Sequence, residues 1–239
     1  MITGHRGAAA LAPENTLAGI ECAAKVGIDW VEIDTQLCSD NVPVVIHDKT
    51  VNRCTNGKGK VGNLTLHELK QLDAGSWFSD QFKGETIPTL AEALDTCLRL
   101  NLTLNLELKI HDNIEAIPLV EQVVALIKES RFPINKLLFS SFNRNALLHC
   151  QTLMPEVRRG FICEVWNDFS LESVLPLDLY SIHIDHNILT PAIAQSIKNE
   201  DLILMIWTLN QPEKASIFID MSVDNVITDK PNLFKPLSI

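Results

Sequence analysis

Between residues 30 and 37, Val31, Ile33 and Leu37 fall on one side of a two-residue period, and Glu32, Asp34 and Gln36 fall on the other. Residues 103–109 repeat the arrangement, with Leu104, Leu106 and Leu108 set against Asn105, Glu107 and Lys109. Successive side chains of a strand point to opposite faces, so a period of two predicts strands. Runs of this kind predict strands over 2–6, 30–37, 42–47, 103–109, 137–142, 158–163, 180–185, 202–209 and 225–228. Segments with helical spacing lie around them, over 14–26, 66–72, 90–100, 114–130, 144–154, 171–175, 191–198 and 212–219. Such alternation predicts parallel βα units.

Nine strand candidates are one more than an eight-stranded barrel needs. Only residues 38–41 separate the second candidate from the third. Parallel neighbours need a crossover of a dozen or more residues, whereas a hairpin needs a few. Residues 42–47 are therefore expected to return antiparallel to the second strand. The remaining eight strands predict an α/β fold, a (β/α)8 TIM barrel. Residues 1–239 then form a single barrel domain with a small insertion at about 48–88. That insertion carries Asn56-Gly57, Gly59, Gly62, Gly75, a short helix, Trp77 and Phe78, and is expected over one barrel mouth.

A net charge of -10 with scattered Lys and Arg argues against a nucleic-acid partner that works by phosphate neutralisation. The longest apolar run, 202–207, is of strand length, so no stable membrane insertion is expected. The chain opens on Met1-Ile2-Thr3-Gly4-His5 with no visible export signal, and its six cysteines are widely spaced. Cytoplasmic localisation with reduced thiols is the corresponding expectation. Nothing in the pattern addresses oligomeric state.

In a barrel the apolar faces of the 30–37 and 103–109 strands pack under the helices, so their polar faces point inward. Carboxylates there are unfavourable unless compensated, and barrel active sites sit at the C-terminal strand ends. Three converging acids, Glu32, Asp34 and Glu107, suit a hard divalent cation, Mg²⁺ or Ca²⁺. The alternative is local pairing with Lys109 or Arg6, which leaves negative charge in excess. His5 ends the first strand, and His47 ends the returning one. With a turn near Asp40-Asn41, His47 is expected opposite Asp34. Two imidazoles beside such a site can act as general acid and base near neutral pH. Arg6 and Lys109 can clamp an anion, and Gly7 allows a tight turn after them. His183, with Ser181 and Asp185, reads either as pocket lining or as a barrel hydrogen-bond network. Trp207 reads either as an aromatic wall or as core. His67, His111 and His149 read as surface residues.

The chain resembles the small bacterial type of glycerophosphodiester phosphodiesterase. The resemblance is carried by His5-Arg6-Gly7, Pro13-Glu14-Asn15-Thr16, Glu32-Ile33-Asp34, Pro43 through His47-Asp48, Asp73-Ala74-Gly75-Ser76-Trp77-Phe78, Leu106-Glu107-Leu108-Lys109, Ser140-Ser141-Phe142, Trp207-Thr208-Leu209-Asn210 and Thr228-Asp229. These stretches occur in family order along nearly the whole chain. The resemblance implies a barrel with an insertion after its second strand, and a phosphoric diester hydrolase of lipid and glycerol metabolism. It implies His5 and His47 as the acid/base pair and Glu32, Asp34 and Glu107 as ligands of one divalent cation. It also implies phosphate contacts from Arg6 and Lys109, with Asn15 completing that shell unless it serves as a helix cap. Trp207 becomes a pocket aromatic, and His183 a further substrate contact in a variable position. The implied substrate is a small glycerophosphodiester such as glycerophosphocholine or glycerophosphoethanolamine, cleaved to sn-glycerol 3-phosphate and an alcohol. The glycerol C2 hydroxyl or a water is the nucleophile. The competing expectations are a lysophospholipase D with Trp77, Phe78 and Phe82 at an acyl entrance, and a non-catalytic binding barrel.

Overall fold

The computed structural model describes residues 1–166 and 171–234. Its strands are β1 (Ile2–Gly4), β2 (Trp30–Leu37), β3 (Pro43–Val45), β4 (Thr103–Leu108), β5 (Leu137–Ser141), β6 (Arg158–Cys163), β7 (Ser181–Asp185), β8 (Ile203–Trp207) and β9 (Asn225–Thr228). Eight of them pair in parallel and close into a ring, because β1 bonds to both β2 and β9. β3 alone runs antiparallel, on the edge of β2. The helices are α1 (Leu17–Lys25), α2 (Leu66–Lys70), α3 (Leu90–Arg99), α4 (Ala116–Glu129), α5 (Arg144–Leu153), α6 (Leu171–Val174), α7 (Pro191–Lys198) and α8 (Ala215–Asp220). This is the (β/α)8 barrel expected from the spacing.

The period-two pattern sorts side chains as expected. Val31, Ile33, Leu104, Leu106 and Leu108 lie in one apolar cluster with Leu94 of α3 and Val120 and Val123 of α4. Truncating such a leucine to alanine costs roughly 2–5 kcal/mol. Leu138, Met205 and Ile227 fill the barrel interior. At the end where the strands begin, the Arg158 guanidinium lies 5.5 Å from the Trp30 ring and 4.7 Å from the Tyr180 ring. That stack closes the lower mouth.

Capping explains where several helices start. Thr16 accepts the Gly19 N–H at 3.1 Å, so α1 begins later than the periodicity suggests. Thr89 and Glu92 form a reciprocal capping box at the start of α3. The expected 114–130 and 212–219 helices each open with a 3-10 turn, Asn113–Glu115 and Pro212–Lys214, before α4 and α8.

The hairpin register differs by one residue from the expectation. Thr35 pairs with Val45, and Ile46 N–H donates to the Asp34 carbonyl, so Ile46 rather than His47 stands opposite Asp34. The turn occupies residues 38–42, with Asn41 in the left-handed region at φ 59°. His47 lies just past the strand and curls back over the barrel.

Residues 48–88 carry α2 and an apolar cluster containing Val51, Val61, Leu69, Ala74 and Ile87, packed against Val44 and Ile46 of the hairpin. The Asp73 carboxylate accepts the N–H groups of Gly75, Ser76 and Gly84 and the Ser76 hydroxyl, which fixes the following turn. Trp77, Phe78 and Phe82 stack edge to face on one another. Among the described residues all six cysteines are free thiols, and no helix is long and apolar enough to cross a membrane.

Candidate active site

The site lies where the parallel strands end. His5, Arg6 and Gly7 leave β1 as a tight turn, with Arg6 at φ 49° and Gly7 at φ 87°. A Cβ at Gly7 would lie 2.6 Å from the Gly19 carbonyl carbon of α1, so glycine is needed for close approach as well as for φ. Arg6 takes a left-handed conformation that costs an L-residue about 1 kcal/mol. The turn directs the Arg6 N–H to Glu32 Oε2 at 2.9 Å, and Arg6 Nη1 to Glu14 Oε1 at 2.7 Å.

Glu32 and Asp34 of β2 and Glu107 of β4 point inward and are buried. One ligand atom from each lies within 4.8 Å of the others. Asp34 and Glu107 share a register level, so parallel pairing alone brings them together. Lys109 Nζ donates to Glu107 Oε1 at 2.7 Å and lies 3.6 Å from Asp34 Oδ1, while Arg6 Nε lies 3.5 Å from Asp34 Oδ2.

The electrostatics of the acids are unequal. Burial raises the pKa of Glu32 well above the ordinary range, and the charges of Asp34 and Glu107 push it further. Burial, with Asp34 beside it, pushes Glu107 up to about 7. Asp34 moves the other way. Burial opposes its charge, but Lys109, Arg6 and His47 outweigh that and hold its pKa below the usual range. Arg6 and Lys109 both lie beside Asp34, and Lys109 also donates to Glu107, so three acids face two cations and ionisation of Glu32 and Glu107 is disfavoured. Glu32 Oε1 is buried with no hydrogen-bond partner among the described residues.

Each histidine is tethered by a carboxylate. His5 Nδ1 lies 2.6 Å from Asp229 Oδ1, and its Nε2 lies 3.9 Å from Glu32 Oε2. Asn210 donates from Nδ2 to Asp229 Oδ2 at 2.7 Å and accepts the Asp229 N–H at 2.9 Å. His47 Nδ1 lies 2.8 Å from Asp48 Oδ1, which leaves Nε2 for the cavity. Asp48 is gripped by Arg53, through Nε at 2.7 Å and Nη2 at 2.9 Å. Arg53 also binds both oxygens of Glu14, the partner of Arg6. Burial lowers the pKa of His47 against the pull of Asp34, so at neutral pH it is an uncharged imidazole.

His5, Arg6, Glu32, His47, Glu107 and Lys109 face a cavity of about 440 Å³ whose other half is formed by Phe142, Ile162, Glu164 and Trp207. Trp207 is half-buried, donates from Nε1 to the His183 carbonyl at 3.0 Å, and meets Phe142 edge to face with centroids 5.7 Å apart. His183 sits fully buried in the cavity floor, with Nε2 2.8 Å from Ser181 Oγ and Nδ1 without a partner among the described residues. Gly160 makes room for that pair, since a Cβ there would lie 2.5 Å from His183 Nε2. Asp185 turns away and accepts from Asn187 in the following loop.

Three placements differ from expectation. Asn15 is not the cap of α1, which is Thr16. Its carboxamide is turned to Asp34, donating from Nδ2 at 2.8 Å and accepting the Asp34 N–H at 3.1 Å. His111 is not a free surface residue, because its Nε2 lies 3.1 Å from the His47 carbonyl. Trp77, Phe78 and Phe82 lie outside the lining of this cavity and bind one another. The supporting groups that periodicity did not single out are Asp48, Arg53, Asn210 and Asp229.

Residues 5–233 match the model of the glycerophosphoryl diester phosphodiesterase family. A glycerophosphodiester phosphodiesterase of Caldanaerobacter subterraneus is 34% identical over 97% of this chain and 94% of its own length. Among solved structures, an Oleispira antarctica phosphodiesterase in complex with the product sn-glycerol-3-phosphate superposes with a TM-score of 0.92, at 36% identity over 98% of this chain and 94% of its own. A glycerophosphodiester phosphodiesterase from Agrobacterium tumefaciens superposes with a TM-score of 0.82, at 31% identity over 98% of this chain and 97% of its own. With a family match across the barrel and relatives of full length above 30% identity, the chain belongs to the glycerophosphoryl diester phosphodiesterase family, enzymes that hydrolyse phosphodiesters.

Proposed function

We propose that the chain hydrolyses glycerophosphodiesters to sn-glycerol 3-phosphate and a free alcohol, using one divalent cation and two histidines. The observation that carries this reading is that three buried carboxylates and two carboxylate-tethered imidazoles meet in one cavity. The product named in the Oleispira antarctica complex supports the same substrate class. We place the reaction in the cytoplasm, where it would feed glycerol and lipid metabolism, and treat residues 48–88 as part of the one barrel domain.

The acid triad fits a hard cation. Two carboxyls with raised pKa values, and a buried Glu32 oxygen without a partner among the described residues, describe a site where Arg6 and Lys109 do not suffice to ionise all three acids and a further cation would. Glu32, Asp34 and Glu107 would hold Mg²⁺ or Ca²⁺, since both take oxygen ligands. When bound, the cation supplies positive charge to the phosphoryl oxygens as charge develops there.

The chain's own groups do the rest. Arg6 and Lys109 orient the phosphate, and Asn15 orients Asp34 rather than touching substrate. His47, held neutral by burial, takes a proton at Nε2 from the glycerol C2 hydroxyl as that oxygen attacks phosphorus. His5 donates its Nε2 proton to the departing alcohol, and Asp229 stabilises the imidazolium before transfer. The cyclic phosphate is then opened with the roles reversed. His5 removes a proton from water, and His47 returns one to the C2 oxygen. The competing route is direct attack by water.

The test uses protein stripped with EDTA, with Mg²⁺ or Ca²⁺ added back and release of sn-glycerol 3-phosphate measured. Activity should depend on the cation and be lost in His5→Ala and His47→Ala. Diesterase activity unchanged by EDTA and by His5→Ala would overturn the reading. Cyclic glycerophosphate in single-turnover quenches supports the C2 route. Its absence, in an enzyme that also leaves added cyclic phosphate intact, favours direct attack by water.

A further inference from the structure

We infer that Gln36 and His111 are positioning residues for His47, gripping its main chain as Asp48 grips its ring. The inference rests on the proposed role of His47 in proton transfer and adds what fixes the reach of that ring.

No strand holds His47. β3 ends at Val45, and Ile46 N–H still donates to the Asp34 carbonyl. His47 itself makes no backbone–backbone hydrogen bond among the described residues. The carbonyls of this segment turn to side chains instead. Gln36 Nε2 donates to the Ile46 carbonyl at 2.9 Å and to the Asp48 carbonyl at 2.9 Å, and lies 3.4 Å from the His47 carbonyl. A carboxamide nitrogen has two hydrogens. The two short contacts use both, which leaves the His47 carbonyl in need of a donor. His111 supplies it, with Nε2 at 3.1 Å. A carbonyl only accepts, so Nε2 carries the ring proton in this contact.

Both grips come from chain already committed to the site. Gln36 follows Asp34 by two residues on β2, so it stands on the same face, and it is buried. His111 stands two residues beyond Lys109 and four beyond Glu107, in the loop that leaves β4. Its backbone N–H donates to Glu115 Oε2 at 3.0 Å, beside the capping box that opens the 3-10 turn ahead of α4, and this fixes the backbone that carries the ring. The main chain of His47 is thereby tied to the two strands that bear the acids. Asp48 alone does this incompletely. It is the next residue of the same segment, and its outside anchor is Arg53, a side chain 45% exposed. A misplacement of about 1 Å at a reacting group can cost ~10²-fold in rate, so the grips matter to turnover before they matter to folding.

The test compares His111→Ala, His111→Gln and Gln36→Met with the wild type on glycerophosphocholine, with the activating cation at saturation and Mn²⁺ affinity of the stripped proteins as a second readout. His111→Gln keeps a donor nitrogen at the reach of Nε2, and His111→Ala does not. His111→Ala and Gln36→Met should each lower kcat by about tenfold or more, with KM and Mn²⁺ affinity held within about twofold, and His111→Gln should recover most of the loss. In a His47→Ala background, His111→Ala should cost less than about twofold, because a residue that acts through His47 has nothing left to act on. His111 is half-buried, so its variants report even if Gln36→Met is destabilised by the carbonyls it leaves unpaired. Wild-type kcat in His111→Ala overturns the inference, as do equal losses in His111→Ala and His111→Gln, a matching loss of Mn²⁺ affinity, or a loss that persists in the His47→Ala background. A wild type inactive with either cation, or a His47→Ala variant as active as wild type, refutes the proposed function itself.

Discussion

Asp229 Oδ1 lies 2.6 Å from His5 Nδ1, and this contact ties the end of the last barrel strand to the end of the first. His47 has the same relationship with its own neighbour, Asp48, at 2.8 Å. In both rings the nitrogen nearer the backbone is spoken for, so the outer nitrogen is the one presented to the cavity. A carboxylate at Nδ1 also selects the tautomer, because it accepts and does not donate.

Asp229→Asn should therefore damage turnover more than folding. Asn210 already donates to Asp229 Oδ2, and His5 must donate to Oδ1. An asparagine has one oxygen, so either Asn210 or His5 meets an N–H where it needs an acceptor. We expect kcat to fall by ~10²-fold with the far-UV spectrum unchanged. A variant with kcat within twofold of wild type would show that His5 needs no orienting partner.

Arg53 is the corresponding support on the other side. It joins Asp48, beside His47, to Glu14, beside Arg6. Its side chain is 45% exposed, so its ion pairs add little to stability. Its value lies in holding two active-site groups at one spacing. Arg53→Lys keeps the charge but not the fork that reaches both carboxylates. The expected result is a loss in kcat/KM of about tenfold with Tm shifted by less than about 3 °C. Equal kinetics in the Lys and wild-type enzymes would argue against this role.

The contrast between these two supports and the acid triad shows what a sequence makes legible. Glu32, Asp34 and Glu107 stand out because they break an apolar expectation inside strands, and strand period then puts them on one face. The hairpin is legible because only residues 38–41 separate its arms. Its register is not, because turn geometry decides it, and a one-residue shift puts Ile46 where His47 was expected. Asp229 and Asn210 reach His5 only through ring closure, a separation of more than 200 residues for which no periodicity speaks. Arg53 and His111 sit in loops, where charge is ordinary and partners depend on the path of the chain. The Thr228-Asp229 and His47-Asp48 pairs stand in the sequence as motifs, but their function as tethers is a property of the fold.

Asn15 provides a test of the cation site that does not depend on catalysis. Both ends of its carboxamide bind Asp34, one on the carboxylate and one on the backbone. Asn15→Ala should leave Asp34 free to rotate and weaken cation affinity by roughly 10–100-fold. Titration of the stripped protein with Mn²⁺, followed by electron paramagnetic resonance of the free ion, measures this directly. Affinity equal to wild type would mean that Asp34 is positioned by Lys109 and Arg6 alone.

His183 makes a prediction about stability. Burial lowers its pKa from the ordinary 6.5 to about 3, so the folded protein keeps the ring neutral where the unfolded chain protonates it. Between these values the unfolded state binds more protons, and stability therefore falls as pH falls from about 6.5 towards 3. Above the upper value the group contributes no pH dependence. Taking the wild type from pH 7 to pH 4.5 should cost about 2 kcal/mol through this one residue. His183→Gln retains a partner for Ser181 and lacks the titration. Urea unfolding of both proteins across that range should give a smaller acid loss in the variant by that amount. Parallel pH profiles would mean that the ring becomes protonated inside the folded barrel, with its Nδ1 reaching water through the cavity floor.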